Sequence, residues 1–137
     1  MKIAGIILLT ALLLSCAAQK RLADSGAGKV GIKDTTSVSD STVYELLVFD
    51  PDFDFWFQSH SFSKIQYTNE YLQSWNHLYV QEWNRRYSSG DRLIGSYIDY
   101  DLLTKYDFEF NFKLYMYFKF FEEKYRIKLL PGGSRPL

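Results

Sequence analysis

Three aspartates alternate behind an aliphatic run in Leu46-Leu47-Val48-Phe49-Asp50-Pro51-Asp52-Phe53-Asp54. Carboxylates at this spacing could hold a hard cation, act on a phosphate ester, or simply turn the chain. As a calcium loop the triplet lacks the glycine of the sharp turn, and Ser61 stands where the bidentate glutamate belongs. The preferred reading is that Asp50-Pro51-Asp52 ends a strand and caps the backbone that follows. Of the two histidines, His60 and His77, the latter has no second histidine at metal-ligand spacing, and the single cysteine, Cys16, leaves zinc without ligands. His77 falls beside Asn76 on the polar flank of a helix, in solvent or a local hydrogen bond. P-loop, nucleophile elbow and glycine-rich dinucleotide fingerprint do not occur. No catalytic residue, metal or cofactor is assigned, and the chain is read as non-enzymatic.

A strand that ends in Asp-x-Asp also resembles the first motif of haloacid-dehalogenase-type phosphatases. That resemblance implies Asp50 as nucleophile and Asp52 as proton carrier. The family has Thr or Val where Asp54 stands, and it needs further strands that bring a lysine and more acids. So short a domain does not offer them, and a small hydrolase using Asp50 and Asp52 is the third of the functional readings.

The elements around these residues follow from periodicity. Val43 to Phe49 is β-branched and aliphatic and reads as a buried strand ended by Asp50-Pro51. Asp52 to Gln58 can make a helical turn or more, with Phe53, Trp56 and Phe57 on one side. Thr68 suits an N-cap and Glu70 the first turn of a helix. Tyr71, Trp75, Leu78, Tyr79, Trp83 and Tyr87 then form an apolar stripe, which Ser88-Ser89-Gly90 stops. From Asp107 to Tyr125 two periods compete. Phe108, Phe110, Phe112, Leu114, Met116, Phe118 and Phe120 alternate as in a strand, but 13 such residues would reach about 43 Å. Helix is chosen, with Phe110, Leu114, Phe118, Phe121 and Tyr125 on one face and Lys119 and Glu123 on the surface. Ile127 to Leu130 is expected to form a short strand beside the first. The fold class is α+β: one small domain with two long aromatic-rich helices on a short strand or two-stranded sheet.

All 25 aromatic residues lie between Tyr44 and Tyr125. Aromatic rings at helical spacing are read first as core, because Phe and Tyr bury a large area each. Stacking on sugars is the alternative, and Tyr97, Tyr100 and Tyr106, between the helices, are the candidates for an exposed ligand-binding patch. Lys and Arg number 16, as do Asp and Glu, so electrostatics gives a nucleic-acid partner no support.

The N-terminus is of another kind. Lys2 precedes an uncharged run, Ile3 to Leu14, shorter than the roughly 20 residues that span a bilayer. It reads as the apolar region of a secretory signal. Leu13-Leu14-Ser15-Cys16 resembles the lipobox of bacterial lipoproteins. The resemblance implies cleavage before Cys16 and lipids on that cysteine, and stable anchoring requires more than one acyl chain. Ala17-Ala18 after the cysteine favour the outer membrane, and Gln19-Lys20-Arg21 favour its periplasmic face. Ala17 to Thr42 has no aromatic residue and reads as a flexible tether. The expected organisation is a signal peptide over 1–15, lipidated Cys16 and tether over 16–42, the domain over 43–130 and a disordered tail over 131–137.

The domain is similar to an uncharacterised family of Bacteroidota lipoproteins, a domain-of-unknown-function family. The residues that carry this are Val43-Tyr44-Glu45-Leu46-Leu47-Val48-Phe49-Asp50-Pro51, Tyr71-Leu72-Gln73-Ser74-Trp75-Asn76, Glu82-Trp83-Asn84, Ile98-Asp99-Tyr100 and the run from Asn111 to Phe121. The resemblance implies location and fold but no activity. The first expectation is a non-catalytic lipoprotein that meets the membrane through its anchor and binds an unknown envelope protein. A glycan- or peptidoglycan-binding module is the second.

Overall fold

The centre of the domain is a helix with almost no outside. In the computed structural model, which describes residues 28–36, 42–60 and 64–132, α3 (Phe108–Tyr125) buries eleven residues between Phe110 and Glu122. The Asp107 carboxylate caps it by accepting from the Phe110 N–H at 2.8 Å, and Arg126 at φ 53° ends it. A helix that is apolar nearly all round belongs in the middle of a core. That also explains the competing periods: when every direction is buried, the sequence satisfies period 2 and period 3.6 together. The predicted five-residue face is therefore only part of what is buried. Lys119, expected on the surface, is half-buried; its Nζ donates to the Tyr79 hydroxyl at 2.9 Å.

Three other elements wrap α3. The helix α2 (Asn69–Ser88) begins at Thr68, whose hydroxyl accepts from the Tyr71 N–H at 3.2 Å, as the sequence predicts. Its buried line is Leu72, Asn76, Tyr79, Val80 and Trp83. The predicted stripe shares only Tyr79 and Trp83 with that line; Leu78 and Tyr87 are exposed. Asn76 is not on a polar flank but fully buried, with its Nδ2 donating to the Asn111 carbonyl at 2.9 Å. Asn111 in turn donates to Asn69 Oδ1 and accepts from the Tyr100 hydroxyl. A buried amide network of this kind is invisible to hydropathy, because its donors are answered by one another and by backbone carbonyls, although Asn76 Oδ1 has no partner among the described residues. His77 is half-exposed beside Gln81, at 3.0 Å.

The helix α1 (Phe53–His60) packs Phe53 against Tyr117 and Phe120. The sheet has two antiparallel strands, β1 (Val30–Thr36) and β2 (Thr42–Val48), in register from Val30↔Val48 to Thr36↔Thr42. Two expectations are corrected here. The partner of β2 is β1 and not Ile127 to Leu130, which forms no strand. Instead the Leu129 N–H donates to the buried Glu122 carboxylate at 2.8 Å, and Arg86 donates to the Lys128 and Leu129 carbonyls. Residues 28–36, read as tether, also belong to the domain. They need no aromatic core of their own, because Val30 enters one built by other elements and is 2% exposed.

The long connection from α2 to α3 is held by α2 side chains. Trp83 Nε1 donates to the Ser96 carbonyl at 2.8 Å, and the Asn84 amide both donates to and accepts from the Ile98 backbone. Among the described residues the domain is thus a small α+β unit with one two-stranded sheet, three α-helices and a short 3-10 turn at Lys64–Gln66. The predicted signal peptide, Cys16, residues 17–27 and 37–41 of the tether, and 133–137 of the tail lie outside the described residues.

Candidate functional site: a cleft between the first and third helices

The turn Asp50-Pro51-Asp52 carries the chain from β2 into α1. Asp50 Oδ1 accepts from the Asp52 N–H at 3.1 Å, and the Asp50 carbonyl accepts from the Phe53 N–H at 3.2 Å. This is the predicted capping role. The last turn of α3 adds a cation: Lys124 Nζ lies 2.8 Å from both Asp50 oxygens and 2.8 Å from Asp52 Oδ2. The Asp50 side chain is 2% exposed and that of Asp52 71%. Partial burial works against the charge on Lys124, but its bonds to Asp50 and Asp52 outweigh that and raise the ammonium above its ordinary value. The ammonium also sits 5.3 Å from the centre of the Phe120 ring.

Beside this clamp, α1 and α3 enclose a cleft of about 440 Å³. Its apolar part is Phe55, Trp56 and Phe120; its polar part includes Asp52, Ser59, His60, Glu123 and Lys124. Phe55 is 81% exposed. Trp56 is half-buried, stacks on His60 with centroids 4.3 Å apart, and donates from Nε1 to Glu123 Oε2 at 3.2 Å. His60 Nδ1 lies 2.8 Å from Ser59 Oγ and 2.9 Å from the Trp56 carbonyl. A serine and a histidine therefore meet in the cleft, but the ring is oriented by the indole beneath it and a backbone carbonyl. Among the described residues, an orienting carboxylate, the third part of a nucleophilic triad, is not among its bonds.

The lysine that the phosphatase resemblance calls for does reach Asp50, as Lys124 on α3, but Asp50 is buried with both oxygens engaged by it, and among the described residues the sheet has two antiparallel strands. Among the described residues, no group of three or more His, Cys, Asp or Glu is placed to hold a metal ion. None of their helices is long and apolar enough to cross a membrane.

The three tyrosines singled out from sequence do not form one exposed patch. Tyr106 is 4% exposed; it stacks on Phe110 at 4.5 Å, and Tyr100 stacks on it at 4.7 Å. Burial pushes both hydroxyls above their ordinary range. These two rings are core, and only Tyr97 is exposed, edge-on to Tyr87 at 6.3 Å. Conversely, Phe55 and Lys124 line the cleft without having stood out in the sequence. A signal for Phe55 was present, since placing Phe53, Trp56 and Phe57 inward turns Phe55 outward. Nothing local announces Lys124, which meets Asp50 across 74 residues.

No curated protein and no solved structure matches the chain. A family model does match, over residues 4–134, nearly the whole length. The chain belongs to the family of unknown function DUF6146.

Proposed function

We propose that this protein is a lipoprotein of the bacterial cell envelope, anchored through lipids on Cys16, and that its domain is a non-catalytic interaction module. The anchor reading is supported by Leu13-Leu14-Ser15-Cys16 behind an uncharged run, and the residues after Cys16 favour the outer membrane facing the periplasm. The observation that carries the module reading is Phe55. A large aromatic side chain 81% exposed at the mouth of a cleft floored by Trp56 and Phe120 is poorly used in water and well used in a contact. The acids beside it have a structural task already, which supports a binding role over a hydrolytic one.

A glycan is the second reading, favoured by the presence of aromatic rings in a groove. It is weakened by the packing of Trp56, one face of which is covered by His60. The two readings separate when a photo-crosslinking residue replaces Phe55 in the full-length chain inside its native cells. The expected result is one discrete protein adduct, absent when the crosslinker replaces Tyr97, which is also exposed, at 56%. No protein adduct from position 55, or the same adducts from both positions, contradicts the proposal.

A further inference from the structure

The charges around the cleft restrict what it can accept. A lysine ammonium has three donors, and those of Lys124 meet three carboxylate oxygens, two on Asp50 and one on Asp52. Among the described residues that line the cleft, Lys124 is the one lysine, and it is occupied with no donor left for an anionic ligand. Glu123 is exposed and accepts from the neutral indole N–H through Oε2, and it is in no ion pair among the described residues, since the neighbouring Lys124 is turned to Asp50 and Asp52. With Asp50 and Asp52 set against Lys124, the carboxylates outnumber the cation, and the rim is net negative above an apolar floor.

From this we infer that the cleft takes a basic side chain, Lys or Arg, presented by a partner protein on an apolar surface. The inference rests on the proposed module function. The hydrocarbon stem of such a side chain covers Phe55 and Phe120 while its head reaches Glu123. The exposed ring of Phe55 adds the attraction of an aromatic face for a cation. An acidic segment meets the opposite: carboxylates with no donor to answer it, and a desolvation cost with no return.

The test uses residues 17–137, which include every residue of the described fold, and three probes of equal apolar body: hexylammonium, hexanol and hexanoate. The readout is the indole N–H resonance of Trp56, one of three tryptophans in the chain, followed by NMR and identified by its loss in Trp56→Phe. Hexylammonium is expected to move that signal, with hexanoate weaker by about tenfold or more. In Glu123→Gln the difference between the two should shrink to less than about threefold. If all three probes act equally, the cleft is an apolar contact site and the inferred charge preference is overturned, while the module reading stands. If none moves the Trp56 signal, both fall. A response to chitotriose in place of the hexyl series assigns the cleft to a glycan and overturns the inference as well.

Discussion

Gly28→Ala is expected to destabilise the domain by about 3 to 5 kcal/mol, far more than an alanine at most surface glycines. Gly28 has φ +60°, and a Cβ there would stand 2.0 Å from the Leu93 carbonyl oxygen and 2.8 Å from Ile94 Cα. Both obstacles are backbone, so no side chain can swing aside, and the left-handed conformation is itself unfavourable for alanine. Relief means lifting the segment away from residues 93–96. That would break the bond from the Gly95 N–H to the Gly28 carbonyl at 2.9 Å and disturb the two between Val30 and Ser96 Oγ, at 2.8 and 2.7 Å. Val30, 2% exposed, would follow, and with it the pairing of β1 on β2. The matched control is Gly31→Ala, in β1, where a Cβ meets nothing within 4 Å. Thermal unfolding of residues 17–137 should show the first variant melting about 15 °C or more below the parent. The second should stay within a few degrees. Equal effects would mean that residues 28–30 are not docked as described.

Lys124→Met is expected to cost a similar amount, about 3 to 5 kcal/mol, for an electrostatic reason. Asp50 is 2% exposed at its side chain, and Lys124 is the cation that touches it. Removing one partner of a buried pair leaves the other charge in a poor solvent, whereas replacing both can be close to neutral. The double variant Asp50→Asn/Lys124→Met should therefore recover most of the loss. Asp52→Asn removes only an exposed contact to the same lysine and should cost about 1 kcal/mol or less. Urea unfolding of the four proteins decides the matter. If Lys124→Met and Asp52→Asn lose the same small amount, the clamp is a surface pairing and the structural role given to Asp50 is wrong. If the double variant is worse than Lys124→Met alone, the cap that Asp50 makes on the Asp52 amide outweighs the ion pair.

What could be read from sequence was local. Thr68 is a short polar side chain directly ahead of an amphipathic run, and it caps the helix that follows; the cap that Asp107 makes on α3 was not among the expectations. The β-branched run before Asp50-Pro51 became β2, and the turn behind it leads into α1. What escaped depends on contacts between distant segments. Residues 28–36 look like linker by composition, and Val30–Thr36 become a strand because β2 has an edge to pair and Ser96 holds Val30. Asn76 has the polarity of a surface residue and is buried because Asn111 answers it. Tyr106 sits in a segment without regular structure, where loops are commonly exposed, yet it is a slab in a stack from Tyr100 to Phe110. For the candidate site, the aspartate turn was legible from its spacing. The cleft was not, since it exists only where α1 and α3 meet.

The proposed place of the protein in the cell depends on one atom, the sulfur of Cys16. The direct measurement is labelling with a radioactive or clickable fatty acid in the native cells, followed by membrane fractionation, for the wild-type chain and for Cys16→Ser. The wild-type protein should take up the label, sediment with the membrane and require detergent for release, and Cys16→Ser should take up none. A Cys16→Ser chain that still carries the label, or a wild-type chain that never does, contradicts lipid anchoring.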